Sequence, residues 1–387
     1  MSPLLHAHVV GVGETNPISA DPRPLATMVT EAVMTALDDA GLKSSDVDGF
    51  VTESSSMPFE APAEALISAF DRPVKREPFI AYGLKYGAGL VAAPQLAAMA
   101  ISKGLASVVL CWYGHRLSAL ADGPRTLYAE DAFKADLEMP HGWYGQPVYF
   151  AAMAQRYAHE YGLKPEQLAA TAIEAREHAA RTPGSLRTKP MTFDDYMASP
   201  IVSTPLRKPD CCLVNDGAMA FVMTTAERAR DLRHPVVEVA GVGTGMSNVI
   251  GDTWFTQNPD YLTTPAAISG PRAFAESGLN PSDIDFAELY DCFTMNTILQ
   301  FEDLGFATKG DGAAFALEKG RGLTGPLPTN THGGLLSHSF LLGGGHMVEA
   351  VRQLRHERGE GQVPNAEIGL VTALGIPSHA TTILRRV

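Results

Sequence analysis

A chain of 387 residues with 45% apolar side chains can bury two or three domain-sized cores or one large duplicated fold, and it is too hydrophobic to stay disordered. Its formal net charge of −13 repels phosphate backbones and no Lys/Arg run offsets it locally, so nucleic acid is excluded as an expected partner. The N-terminal stretch has no basic leader before an apolar segment of signal length, and runs such as Val108 to Tyr113 are too short to cross a bilayer; a cytoplasmic location without membrane contact is expected.

The pattern along the chain is helix, glycine turn, helix, strand, and it occurs twice. An Ala-rich helix over Leu25–Ala40 stops at Gly41, which suits a left-handed C′ position, and Ser45 then offers a turn or cap before an apolar segment. The glycine-rich turn Tyr86-Gly-Ala-Gly89 leads into a helix over Leu90–Lys103, and Ser107–Tyr113 is β-rich. Residues 117–210 break the rhythm with charged, Pro-containing pieces and two helices, Val148–Tyr161 and Pro165–Ala180, and read as an insertion. Within it, Met139-Pro-His-Gly-Trp-Tyr-Gly145 gathers aromatics around His141 and suits either the floor of an acyl or sterol site or a packed loop. The first pattern then returns as a helix over Ala266–Ser277, Gly278, Ser282, the turn Thr331-His-Gly-Gly334, a helix over Gly344–Arg355 and a strand over Gly369–Ala373.

The two copies share residues in register. Asp39-Ala-Gly-Leu-Lys-Ser-Ser-Asp-Val-Asp48 reappears as Glu276-Ser-Gly-Leu-Asn-Pro-Ser-Asp-Ile-Asp285. This predicts a layered α/β fold with an N-terminal half over 1–116 continuing at 211–235, an inserted segment over 117–210 and a C-terminal half over 236–387. Gly89 and Gly334 are expected at equivalent turns before two central helices. The four cysteines, two of them adjacent at Cys211 and Cys212, form neither a disulfide framework nor a paired metal motif, and no HExxH occurs, so no metal and no cofactor are expected.

Three motifs in order carry a family resemblance. Pro205-Leu-Arg-Lys-Pro-Asp-Cys-Cys-Leu-Val-Asn-Asp-Gly-Ala218, Glu288-Leu-Tyr-Asp-Cys-Phe293 and Asn330-Thr-His-Gly-Gly334, followed by Glu349-Ala-Val-Arg-Gln-Leu-Arg355, resemble the sterol-carrier or lipid-transfer branch of the thiolase superfamily over essentially the whole chain. The resemblance implies a duplicated α/β thiolase fold with layered sheets and central helices, an acyl-CoA thioester substrate and a homodimer.

The same comparison shows what is missing. Thiolases place a nucleophilic Cys at the start of the first-half helix, where a helix N-terminus favours the thiolate; Tyr86 stands there, and a phenol titrating near pH 10 is a poor substitute. Phe340 stands where the second-half turn of a thiolase carries its catalytic His, and Gly375-Ile-Pro-Ser-His379 replaces the C-terminal cysteine loop. Tyr290 at the head of Tyr-Asp-Cys-Phe293 resembles the steroid side-chain aldolases of this superfamily, which work with a small OB-fold, zinc-ribbon partner. Retro-aldol cleavage of a β-hydroxyacyl-CoA needs no acyl nucleophile. It needs a base for the hydroxyl proton and donors for the thioester enolate. The candidate catalytic residues are therefore Tyr290, His332 and His338, with His346 behind them, and the substrate-binding candidates are Tyr86, Cys292, Phe340 and His141. Phe340 also replaces a second tyrosine of those aldolases. That loss keeps two alternatives open, a non-catalytic acyl-CoA- or lipid-binding scaffold and an atypical acyltransferase.

Overall fold

The computed structural model describes residues 7–53, 63–68, 70, 77–84, 87–119, 134–246, 258–319, 322–375 and 377–387. Strands β1 (Ala7–Glu14), β2 (Gly49–Glu53), β3 (Phe79–Gly83) and β4 (Val108–Arg116) come from the first half, β5 (Ile201–Ser203) and β6 (Leu206–Arg207) make a separate hairpin, and β7 (Asp216–Thr225) returns to the first half. The second half supplies β8 (Val237–Met246), β9 (Phe286–Glu288), β10 (Ile368–Gly375) and β11 (Ser378–Arg386). The strand order β3-β2-β4-β7-β1-β8-β11-β10-β9 contains one pattern twice. From the outside inwards, β2-β4-β7-β1 matches β9-β10-β11-β8, with a parallel pair first and antiparallel pairs after it. The halves meet at β1 and β8 over only two residue pairs, His8 with Glu238 and Val9 with Val237.

The duplicated sequence does the same work in both copies. Helix α1 (Leu25–Ala40) ends at Gly41 with φ 69°, and its counterpart Ala266–Ser277 ends at Gly278 with φ 70°. In the turns that follow, the aspartates supply the caps, not Ser45 and Ser282: Lys43 N–H donates to Asp46 Oδ2 and Asn280 N–H to Asp283 Oδ2, both at 2.8 Å. Asp48 then accepts from the N–H groups of Ser107 and Val108 at 2.7 and 2.8 Å, and Asp285 accepts from Glu367 and Ile368 at 2.9 and 2.8 Å. Each aspartate thereby ties the start of one strand to the next. A further repeat lies in Val10-Gly-Val-Gly13 and Ala240-Gly-Val-Gly243, where a Cβ on Gly13 would stand 2.3 Å from Ala32 O and one on Gly243 1.9 Å from Ser269 O. Only glycine lets these helices lie so close to their strands.

Two more helices run through the centre. Helix α2 (Ala88–Ser102) and the helix Leu342–Leu354 touch each other and strands of both half-sheets, and buried residues cover nearly every side of each, as a central layer requires. Gly89 is the second residue of α2, and the residue in that place in the second half is Gly343. Gly334 lies earlier, opening a π-helical turn over Gly334–His338, so the expected equivalence of Gly89 and Gly334 is replaced by that of Gly89 and Gly343. The cause is the extra turn in the second half. From the inserted segment, α3 (Gln146–Tyr161) stacks Phe150 on Phe293 at 4.5 Å, and α4 (Pro165–Ala179) reaches the Gly334–His338 turn, where Arg176 Nε donates to Ser337 Oγ at 3.2 Å. The remaining helices used below are α5 (Ala266–Ser277), α6 (Thr294–Asp303), α7 (Gly312–Glu318) and α8 (Leu342–Leu354).

Candidate active site

After β9 the chain leaves the sheet edge and crosses residues 289–293 into α6, so every backbone group of this crossing needs a partner outside the ladder. Tyr290 N–H donates to Thr372 Oγ1 at 2.9 Å, and its carbonyl accepts from Asn296 Nδ2 and Gln300 Nε2 at 2.5 and 2.9 Å. The ring is thus aimed from a fixed peptide. Its Cε2 lies 3.2 Å from where a Cβ on Gly87 would stand, beside the start of α2. There Glu53, at the end of β2, accepts from the N–H groups of Gly87 and Leu90 at 3.0 and 3.3 Å. Burial pushes the Tyr290 phenol well above its ordinary value, and Cys292, Cys212, Glu53 and Asp291 add to the push. The group is a neutral phenol. Its hydroxyl has no hydrogen-bond partner among the described residues.

A second cluster lies behind the crossing. Asp291 Oδ1 accepts from Leu335 N–H at 2.8 Å and stands 3.2 Å from His346 Nε2, which is also 3.0 Å from Leu289 O. Burial works to lower the His346 pKa, but Asp291 and Glu288 outweigh it and the net direction is upward. His332 packs its ring against His346 at 5.2 Å and against His338 at 5.0 Å. Its Nδ1 is 3.1 Å from Glu288 Oε2 without hydrogen-bond alignment, and neither ring nitrogen has a hydrogen-bond partner among the described residues. Burial pulls the His332 pKa well below its ordinary value, so the ring is neutral near pH 7. His338 Nδ1 is 2.8 Å from Ser185 Oγ, and Nε2 is 3.8 Å from Glu14. Burial alone would raise Glu14, yet Arg352 and His338 hold its carboxyl well below the usual range.

Glu288, His332 and Glu349 each bring one ligand atom within 4.8 Å of the others; a hydroxyl and a guanidinium hold the two carboxyl groups, while His332 Nδ1 and Glu288 Oε2 are left without hydrogen-bond partners among the described residues. Arg358 Nε lies 3.0 Å from Glu349 Oε2. The Thr331 hydroxyl lies 2.6 Å from Glu288 Oε1 and 2.8 Å from Glu349 Oε1. One hydroxyl carries one proton, so two ionised carboxylates would leave one of these contacts unmade. A protonated Glu288 completes the chain by donating to Thr331 while Thr331 donates to Glu349, in line with the upward push of burial on Glu288.

The other candidates fall elsewhere. Phe340 is half-buried, its N–H donates to Asn215 Oδ1 at 2.6 Å, and its ring lies 5.7 Å from that of His115. His115 accepts at Nδ1 from Tyr113 at 3.0 Å and donates from Nε2 to Asn215 O at 3.0 Å, and burial holds its pKa down at about 4. Cys292 is buried and burial pushes its thiol well above the usual value, which removes thiolate character. His141 is exposed in the short turn Met139–His141, and Tyr86 lies outside the described residues. Among the described residues Tyr290 makes no hydrogen bond or ring contact with His332, His338 or His346. Sequence reading passed over Asp291, although it sits in the Tyr-Asp-Cys-Phe motif, and over Glu53 and Gln300, for which no local pattern exists.

Comparison with known proteins shows the family and the fold. Residues 247–386 match the model of a thiolase C-terminal domain-like family. The chain is 34% identical over 383 residues to the 17-hydroxy-3-oxo-4-pregnene-20-carboxyl-CoA lyase of Mycobacterium tuberculosis, covering 96% of this chain and 97% of that protein. It is also 34% identical over 385 residues to the steroid side-chain-cleaving aldolase of Thermomonospora curvata, covering 96% of each. Among solved structures, the Ltp2-ChsH2(DUF35) aldolase superposes with a TM-score of 0.90 at 31% identity, covering 100% of this chain and 99% of that one. Human mitochondrial 3-ketoacyl-CoA thiolase, at 14% identity and a TM-score of 0.71 with 99% of each chain covered, shares the fold.

Proposed function

The chain belongs to the thiolase superfamily, in its steroid side-chain-cleaving aldolase branch, and from that premise we propose that it is a carbon–carbon lyase performing retro-aldol cleavage of a β-hydroxyacyl-CoA with a steroid or other bulky side chain. In that reaction a base removes the β-hydroxyl proton and a carbonyl forms at Cβ. The Cα–Cβ electron pair passes into the thioester as an enolate, and a proton returns to Cα. The observation that carries the reading is the Tyr290 phenol, buried, held through its peptide by three hydrogen bonds, and uncommitted at its hydroxyl. A neutral phenol there is a donor to the enolate oxygen as charge develops. For the base we assign His332, a buried neutral imidazole beside Glu288 at 3.1 Å whose ring nitrogens are uncommitted among the described residues. His338, in ring contact with it, supports its orientation.

The high thiol pKa values at Cys111, Cys211, Cys212 and Cys292, all set by burial, argue against the acyltransferase alternative. A non-catalytic acyl-CoA-binding scaffold is favoured by one observation, the absence of a hydroxyl at Phe340. We further propose a small OB-fold, zinc-ribbon partner, supported by the DUF35 component named in the similar aldolase structure, and a homodimer. The dimer is supported by β3, which stands at the sheet edge with Ile80 and Tyr82 exposed at 44% and 47%. A cytoplasmic location fits the finding that no helix among the described residues is long and apolar enough to cross a membrane. The test is release of ketone or aldehyde from a β-hydroxyacyl-CoA by the chain co-expressed with a DUF35 protein. Binding of acyl-CoA without cleavage would favour the scaffold reading.

A further inference from the structure

Beyond Tyr290 a chain of buried polar side chains continues into the second-half sheet, and the proposed chemistry does not touch it. Gln300 on α6 donates from Nε2 to Tyr290 O at 2.9 Å, while its Oε1 accepts from Thr372 Oγ1 at 2.6 Å and faces His379 Nε2 at 3.3 Å. His379 Nδ1 lies 2.6 Å from Ser269 Oγ on α5, and Ser269 Oγ lies 2.8 Å from Thr381 Oγ1. Gln300, Thr372, His379, Ser269 and Thr381 are all fully buried. One proton arrangement satisfies every contact. Tyr290 N–H donates to Thr372, so the Thr372 hydroxyl donates to Gln300 Oε1, which sets the amide with its NH2 towards Tyr290 O. His379 must then carry its proton on Nε2 to donate to the same Oε1, and Ser269 must donate to Nδ1 and accept from Thr381. Burial keeps the His379 pKa down at about 3, so this tautomer persists across the neutral range.

We propose that Gln300 and His379 are positioning residues for Tyr290: Ser269 holds His379 in one tautomer, His379 and Thr372 hold the Gln300 amide in one orientation, and that amide holds the Tyr290 peptide. The proposal rests on the reading of Tyr290 as the reacting phenol. Five desolvated polar side chains stabilise a core no better than apolar ones of equal volume. What they add is a single geometry, and this one ends on the residue whose aim the reaction requires. A misplacement of about 1 Å costs on the order of a hundredfold in rate.

The test compares His379→Leu, which removes the donor to Gln300, with His379→Gln, whose amide nitrogen can replace it. The full chain is used with its partner and 3-fluorotyrosine in place of tyrosine, the Tyr290 resonance being assigned with Tyr290→Phe. We expect His379→Leu to shift or split that 19F resonance and to lower kcat about ten- to a hundredfold at little changed KM, and His379→Gln to recover most of both. Ser269→Ala, which removes one partner and little volume, carries the same test should His379→Leu not fold. An unaltered resonance and kcat in a folded His379→Leu or Ser269→Ala would overturn the proposal, as would equal losses in His379→Leu and His379→Gln, which mean packing alone. If the wild type cleaves no β-hydroxyacyl-CoA while the resonance responds as expected, the aldolase reading falls and the positioning of Tyr290 stands.

Discussion

Asp291 occupies the space that a side chain on Gly334 would need: a Cβ there would stand 2.1 Å from Asp291 Oδ2. Gly334 also has φ +59°, and the carboxylate accepts from Leu335 N–H at 2.8 Å. Gly334→Ala should therefore combine a left-handed backbone cost of about 1–2 kcal/mol with a displaced, buried carboxylate worth about 1–3 kcal/mol. Gly41→Ala is the control, because Gly41 has φ +69° but nothing within 4 Å of its Cβ position, leaving only the backbone cost. Urea unfolding of the two variants compares them. Equal losses would mean that Asp291 moves aside freely.

Acid sensitivity should trace in part to His115. In the unfolded chain this imidazole titrates near 6.5, whereas burial beside Tyr113 and Asn215 holds it at about 4 in the fold. Between those values the unfolded chain binds a proton that the folded chain refuses, so stability falls as pH falls, by at most about 1.4 kcal/mol per pH unit. His115→Gln removes that titration. The pH dependence of the urea midpoint should become shallower between pH 6.5 and 4, and an unchanged slope would acquit His115.

The Thr331 hydroxyl bridges Glu288 and Glu349, so Thr331→Val, nearly equal in volume, should lower stability by about 2–4 kcal/mol through two buried carboxyl contacts left unmade. Thr331→Ser keeps the bridge and should recover most of the loss. Thermal unfolding near pH 7 makes the comparison. If Val and Ser behave alike, the carboxyl pair is held by Arg358, Gln353 and backbone groups without the hydroxyl.

Local signals in the sequence were read where local physics sets the structure. Leu25–Ala40 and Ala266–Ser277 are helices over those very spans because apolar spacing and a terminal glycine define both ends. Asp48 and Asp285 recur because both halves need the same clamp on the next strand. The surroundings of His332 were not legible, since Glu288, Glu349 and Glu14 come from three separate elements, Glu14 from the far end of the chain, and meet only in the fold. In the Tyr290 clamp only Thr372 is distant, arriving from β10, whereas Asn296 and Gln300 lie 6 and 10 residues on, in α6, and no residue pattern marks their amides as ligands of the Tyr290 carbonyl. Phe340 was placed by motif alignment, which carries no information about its real neighbour, His115.

The reaction itself is tested by comparing Tyr290→Phe with Cys292→Ala. Both residues lie on the same crossing and both are buried, at 5% and 8% exposure, so loss of packing alone would affect them to a similar degree. Their chemistry differs. The phenol hydroxyl has no internal partner among the described residues and, in the proposed reaction, forms its bond as negative charge grows on the enolate oxygen, whereas the thiol is held protonated by burial and has no covalent role. Tyr290→Phe should therefore lower single-turnover cleavage of a β-hydroxyacyl-CoA by about a hundred- to ten-thousandfold with nearly unchanged substrate binding. Cys292→Ala should cost less than about tenfold, since only a small apolar contact is lost. Rapid-quench measurement of the released carbonyl product, beside calorimetric binding of the thioester, separates the two effects. Full turnover in Tyr290→Phe would end the assignment of the phenol, and abolished turnover in Cys292→Ala would restore an acyl-enzyme route through that thiol.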